Sequence, residues 1–174
     1  MVNTVIKSLQ ERRSIRDFLQ KPVEAEKIAE IVRTGTFAAT GMGKQSPIIL
    51  VVQSPEVRET LRRMNAGSMG REGTDPFYGA PTILVVLADS TVSTHVEDGS
   101  LVMGNLMNAA HALGVDSCWI HRAREEFESE EGRALLKKWG IDEKYVGIGH
   151  LAIGYRACEY PTPRQRKKDY VYVV

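Results

Sequence analysis

Several kinds of residue and motif are scarce or missing in this chain of 174 residues. It has two cysteines, Cys118 and Cys158, neither at C-x-x-C spacing. That excludes a zinc knuckle or dithiol redox motif and predicts two reduced thiols. No apolar run approaches the ~18 residues needed to cross a bilayer. The segment Met1–Arg16 is amphipathic and has no apolar signal core, which predicts a cytoplasmic protein. Charge of one sign is also missing. There are 23 basic and 22 acidic residues, for a net +1. So weak a field argues against nucleic acid or an anionic membrane as partner. The basic run Arg164–Lys168 lacks the interleaved aromatics of a base-stacking surface.

Familiar site motifs are missing too. No G-x-G-x-x-G dinucleotide fingerprint occurs. Gly43-Lys44 fails as a phosphate loop, because Ala38 stands where the first glycine belongs and Gln45 where a Ser or Thr belongs. His95, His111, His121 and His150 are scattered, without metal-ligand spacing. There is no G-x-S-x-G.

What is present reads as one domain, residues 1–174, with a sizeable core: 43% of residues are hydrophobic and 26% charged. Asn3 is a cap for a first helix carrying Val5, Ile6 and Leu9, fading near Arg12. A second helix follows Pro22, with Ile28, Ile31 and Val32 inward and Gly35 as its stop. Ile48–Gln53 and Pro81–Ala88 read as buried strands, with Ser54-Pro55 opening a helix between them. Ala66–Gly79 reads as a mobile loop or lid. Val96–Leu113 is the longest helix, with Leu101, Leu106, Ala109, Ala110 and Leu113 buried and Gly114 as its end. A strand at Val115–Ile120, a helix at Phe127–Trp139 and a strand at Tyr145–Tyr155 complete the body. The tail 169–174 is strand-like and has no helix after it, so it needs a sheet edge in the same subunit or in a partner. Interleaved strands and helices predict a layered α/β or α+β fold.

The densest chemistry is Arg12-Arg13-Ser14-Ile15-Arg16. Guanidinium is suited to bidentate grip on phosphate, and in extended chain Arg12, Ser14 and Arg16 share one side. Arg164 and Arg166 repeat the pattern near the other end. Two such clusters in a nearly neutral chain point to one phosphorylated small molecule or, more plainly, to two solvated basic patches. The loop Thr40-Gly41-Met42-Gly43-Lys44-Gln45 lets backbone approach a flat ligand, offers the Gln45 amide to an imide edge and sets Lys44 beside it. It also reads as a flexible turn before a strand.

These residues carry a family resemblance. Arg12–Phe18 resembles the N-terminal signature of the nitroreductase family, the FMN-dependent NAD(P)H oxidoreductases. Ala39–Pro47 is similar to its second motif. Gly79–Thr82, Asn105–Gly114, Ser117–Ile120, the basic linker and the Val-rich end follow in the family's order. The resemblance implies an α+β fold with a central mixed sheet flanked by helices. It also implies an intertwined homodimer with exchange of the C-terminal strand, and FMN bound at the interface. Arg12, Arg13, Ser14 and Arg16 would hold the phosphate and the pyrimidine side, with Arg164 and Arg166 closing on the phosphate. Thr40, Gly41, Met42, Lys44 and Gln45 would come from the other subunit. Trp119, Ile120 and His121 would line the ring near N5. Arg16 and Lys44 are the candidates for a cation beside the reduced ring. The implied activity is hydride transfer from NADH or NADPH through flavin N5 to a small oxidant, nitroaromatic or quinone, by a ping-pong mechanism with no side-chain general acid. A flavin-binding sensor or store without turnover is the alternative. Gly43, Ser46-Pro47 and His121-Arg122 depart from the family's common residues. The chain also looks short for the family, as if a helical excursion over the site were missing and Ala66–Gly79 covered it instead.

Overall fold

A computed structural model describes residues 3–174. Four strands form one sheet in the order β1-β2-β4-β3: β1 Pro47–Val52, β2 Thr82–Asp89, β3 Asp116–Ile120 and β4 Tyr145–Gly154. All three pairings are antiparallel. The expected mixed character is confined, within one chain, to an isolated parallel bridge between Ser14 and Ser117.

β2 lies between β1 and β4 and is buried on both faces, as its Ile-Leu-Val-Val-Leu run requires. Ile83, Val85 and Leu87 enter one apolar layer, with Ile15, Phe77, Phe127 and Leu136. Leu84 and Val86 enter the other, with Ile31, Met103 and Leu106. The second layer is covered by α2 (Ala25–Gly35) and α4 (His95–Ala112). The first is closed by α3 (Pro55–Ser68), α5 (Ala123–Glu128) and α6 (Glu130–Lys138).

Local signals act as their chemistry dictates. Asn3 Oδ1 accepts from the amides of Val5 and Ile6 at the start of α1, Thr4–Glu11. Ser54 Oγ caps α3, with Pro55 at its first position. Gly114 and Gly140 end their helices at φ +70.

Other expectations need correction. Gly35 is the last residue of α2, where the stop was expected, but a left-handed turn is not what requires it: a Cβ there would meet Leu106 Cδ2 at 2.6 Å, so close helix packing explains this glycine. The single helix over Phe127–Trp139 is two, α5 and α6, broken at Ser129, whose ψ of 160° lets its hydroxyl cap α6. Leu101 faces outward at 51% exposure, and Val5, Ile6 and Leu9 are exposed as well. α3 runs on to Ser68, and the segment after it is tied down. Phe77 is fully buried, while Asp75 accepts from the Phe77 and Gly79 amides and from Arg58. Residues 156–174 are exposed and add no strand to their own sheet.

β4 bears its glycines where other chain crosses it. A Cβ on Gly147 would lie 2.1 Å from the Ala123 carbonyl oxygen at the start of α5. That backbone cannot retreat without unseating α5. Gly147→Ala is therefore expected to cost about 3 kcal/mol and to lower Tm by roughly 6–12 °C, read by thermal melting. An unchanged Tm would show that α5 is not seated on β4.

Candidate functional site

The two cationic ends meet. Ile15 is fully buried, which turns Ser14 and Arg16 outward from the extended chain after α1. The Ile15 amide donates to the Ser117 carbonyl (3.0 Å), fixing this segment on the outer edge of β3. Tyr160 draws the tail back to the same place. Its hydroxyl donates to the Glu11 carbonyl (2.9 Å) and its ring stacks on His111 at 6.4 Å. The result is a cavity of about 650 Å³ lined by Leu9, Gln10, Arg12, Arg13, Pro163, Arg164 and Arg166.

Of the residues that line it, Arg12 at Nη1 and Arg13 at Nε have buried nitrogens without a hydrogen-bond partner. Buried guanidinium donors left unpaired are costly, and four arginines border this one cavity. Arg13 is half committed, since its Nη1 donates to the Gln10 and Arg12 carbonyls (2.7 and 2.8 Å) and closes the end of α1. Arg16 is exposed and forms no salt bridge among the described residues.

Cys118 sits beneath this segment. Burial pushes its thiol upward against the opposing influence of Arg16, Ser14 and Arg12. It stays a protonated, unreactive thiol at neutral pH.

The loop Thr40–Gln45 is elsewhere. It precedes β1 at the Pro47–Ala88–Val146 end of the sheet, whereas Ser14 and Phe18 bridge to Ser117 and Arg156 at the other end. Val146 to Gly154 is eight steps of β4, about 27 Å, and β1 to β3 is three strand spacings, about 14 Å. Within one chain the two candidate regions are at diagonally opposite corners.

The loop is nonetheless shaped. Met42, Gly43 and Gln45 have φ of 53, 66 and 50, and Met42 is 86% exposed. Lys44 and Gln45 are exposed beside it, and Gln45 N donates to Thr40 Oγ1 (3.1 Å).

The anchor of this loop is Asp98, a buried carboxylate in the first turn of α4. It accepts from Gly41 N (2.8 Å), Ser46 Oγ (2.7 Å) and Thr94 Oγ1 (3.2 Å). Burial works against its charge, yet the three donors together outweigh it and hold the carboxyl below the usual range. The sign follows. Asp98 stabilises the fold above the ordinary carboxylate pKa of about 4, and this is lost as pH falls through its lower folded value. Asp98→Ala is expected to cost about 1.5–3 kcal/mol at neutral pH and less in strong acid, so that its Tm deficit against wild type narrows as pH falls. A deficit that is the same at both pH values would show that the Asp98 charge is not what stabilises the fold. Sequence reading missed Asp98; its signal was an acid in a helix's first turn, close after the cap.

Trp119, Ile120 and His121 lie in and just after β3. The Trp119 indole rests on Gly149, where a Cβ would come within 2.3 Å of its Nε1, and that Nε1 is buried and unpartnered. The Ile120 side chain enters the core, so only its backbone faces the open edge. His121 is exposed. From Ser117, which faces Ser14, to His121 is about 13 Å of strand.

A comparison with protein-family models decides the affiliation: the nitroreductase family matches residues 9–155. The chain belongs to the nitroreductase family. A relative from Archaeoglobus fulgidus, whose name proposes NADH dehydrogenase or NAD(P)H nitroreductase activity, is 29% identical over 156 residues, covering 86% of this chain and 84% of its own. The crystal structure of a Bacteroides fragilis nitroreductase with bound FMN superposes with a TM-score of 0.91 at 24% identity, covering 99% of this chain and 100% of the other. A Desulfitobacterium hafniense nitroreductase with bound FMN gives 0.89 at 23% identity, with full coverage of both chains. The expected nitroreductase fold is thus the observed one. Among the described residues no helix is long and apolar enough to cross a membrane, and no cluster of His, Cys, Asp or Glu suits a metal ion.

Proposed function

We propose that this nitroreductase-family chain is an FMN-dependent NAD(P)H oxidoreductase, working as a homodimer on small organic oxidants of the nitroaromatic or quinone type. The observation that carries this reading is that Arg12 and Arg13, each with a buried and unpaired guanidinium nitrogen, line one cavity with Arg164 and Arg166. A phosphate monoester supplies the acceptors these donors lack.

In this reading Arg12, Arg164 and Arg166 hold the phosphate, and Arg13 adds its Nε. Ser14 and Arg16, outward from the same extended segment, meet the pyrimidine side. The open backbone edge at Trp119–His121 borders the ring. Thr40, Gly41, Met42, Lys44 and Gln45 of the second copy complete the site. When bound, FMN supplies two-electron chemistry, taking a hydride from NADH or NADPH and delivering it to the oxidant. The protein's part is to grip, orient and tune. Arg16 and Lys44 bring positive charge to the side where a reduced ring is anionic. No side chain is assigned as general acid.

The dimer is supported by surfaces that one chain leaves bare. Val5, Ile6 and Leu9 form an apolar stripe on α1 with nothing over it, and Leu101 and Met42 add to the exposed apolar surface. β1 is an edge strand. The tail Tyr170–Val174 is an exposed, β-prone segment with no edge of its own. A partner's tail added parallel to β1 gives the sheet its expected mixed character.

The test is an anaerobic titration of purified protein with NADH and with NADPH, followed by a panel of oxidants. The expected result is a yellow protein whose visible flavin band bleaches with one or both nicotinamides and returns on adding a nitroaromatic or quinone, without release of FMN. A colourless protein that takes up no FMN overturns the cofactor. A yellow protein that neither nicotinamide bleaches overturns the enzyme and leaves a flavin-binding protein.

A further inference from the structure

Three buried polar side chains in the apolar layer have no part in the function above. Asn65 on α3, Glu126 on α5 and His150 on β4 are all fully buried. The His150 ring packs between Phe77 (5.3 Å between centroids) and Phe127 (6.2 Å). Its Nε2 lies 3.3 Å from Glu126 Oε2 without forming a hydrogen bond. Glu126 Oε1 accepts from Asn65 Nδ2, and that same amide donates to the His121 carbonyl at 2.8 Å.

An apolar trio at these positions would fill the layer more cheaply, because each buried polar group forfeits hydration. What the trio provides is one hydrogen bond delivered to a backbone atom at the end of β3. The residue after that atom is Arg122, at φ +77. A side chain is disfavoured in this left-handed region, so the turn needs outside support. Glu126 supports it twice, since its amide also donates to the Arg122 carbonyl (3.0 Å). The exposed Arg122–Glu125 ion pair is too solvated to hold the turn.

We propose that Asn65, oriented by Glu126, is a positioning residue that locks the His121–Arg122 turn beside the ring of the bound flavin. This rests on the FMN reading above. The clamp acts through backbone geometry. It sets where the His121–Arg122 amides point, and so governs how fast reduction occurs more than how tightly the phosphate is held.

The test joins two readouts. Hydrogen exchange of the 119–124 segment is compared in wild type, Asn65→Ser and Glu126→Gln, without flavin. Asn65→Ser cannot reach the His121 carbonyl, and its segment is expected to exchange about 10-fold faster or more. Glu126→Gln keeps an acceptor for Asn65 and is expected to exchange like wild type. With FMN added, Asn65→Ser is expected to hold it within about 3-fold of wild-type affinity while its nicotinamide-driven reduction slows about 10-fold or more, and Glu126→Gln is expected to keep the wild-type rate. Unchanged exchange in Asn65→Ser overturns the clamp. Faster exchange with an unchanged reduction rate overturns its role in positioning. In the unaltered protein the Asn65 side-chain amide protons are expected to be strongly protected, and a freely exchanging amide overturns the clamp even if neither variant folds. Because the exchange measurements need no cofactor, a wild type that binds no FMN defeats the functional reading and leaves the clamp standing.

Discussion

Replacing Arg12 and Arg164 together with alanine is expected to weaken FMN binding by roughly 10²–10⁴-fold, two charge-assisted bonds at about 1.5–3 kcal/mol each. Flavin fluorescence quenching or calorimetry measures it. The effect on the unliganded fold goes the other way. Arg12 Nη1 is buried with no acceptor, so it contributes an uncompensated desolvation cost, and removing it orphans nothing. The double variant without FMN is expected to melt at or slightly above the wild-type temperature. Arg63→Ala, whose guanidinium is paired with Glu131 on the surface, is the control for lost charge and should leave FMN affinity unchanged. The signature is a split: affinity falls while apo stability holds. If affinity and stability fall together, Arg12 is a structural residue and the cavity is not an anion site. If neither changes, the two cationic ends are solvated patches and the phosphate is held elsewhere.

Sequence periodicity made most of the fold legible, for physical reasons that differ by element. β2 was plain because a strand buried on both faces must be apolar throughout. α3 was plain because Ser54 and Pro55 satisfy and pre-set its first turn. The failures share a cause. Gly35 does end α2, but what demands a glycine there is Leu106, some seventy residues on. Leu101 read as buried because an apolar residue at helical spacing normally is, and nothing in one chain's sequence says that this face awaits other cover. The break at Ser129 is the exception, a local signal that was passed over: Ser129 followed by Glu130 and Glu131 is a cap with an acidic first turn, and no apolar residue stands between Phe127 and Ala134.

The candidate site was legible in parts. Arg12, Ser14 and Arg16 share a side because Ile15 is drawn into the core, a two-residue alternation visible in the letters. The convergence of Arg164 and Arg166 on Arg12 is not local. It depends on Tyr160 reaching the Glu11 carbonyl, and no spacing rule announces such a contact. Asn65, Asp98 and Glu126 escaped notice because a lone buried polar residue looks like surface until its neighbours are known.

Val171→Pro with Val173→Pro is expected to split the dimer and, with it, the flavin site. Proline removes the amide donors a strand must offer, yet Arg164 and Arg166 stay in place and the phosphate cavity is untouched. The tail makes no strand within its own subunit, so the substitutions have no intramolecular pairing to disturb. A stability loss under about 0.5 kcal/mol is expected for the single folded chain. Sedimentation should then show a species of half the wild-type mass at micromolar concentration. FMN affinity should fall by about 10-fold or more, because Thr40–Gln45 sits about 27 Å along and about 14 Å across the sheet from Arg12 in the same subunit. One chain cannot bring both corners to one small molecule, but two chains related by a two-fold axis can. A half-mass species that binds FMN as tightly as wild type would place the whole site within one chain and remove Thr40, Gly41, Met42, Lys44 and Gln45 from it. A full-mass species would show that the bare stripe of α1 holds the dimer without the tail, and Ile6→Glu added to the two prolines, away from the cavity lining, would then be the change that separates the copies.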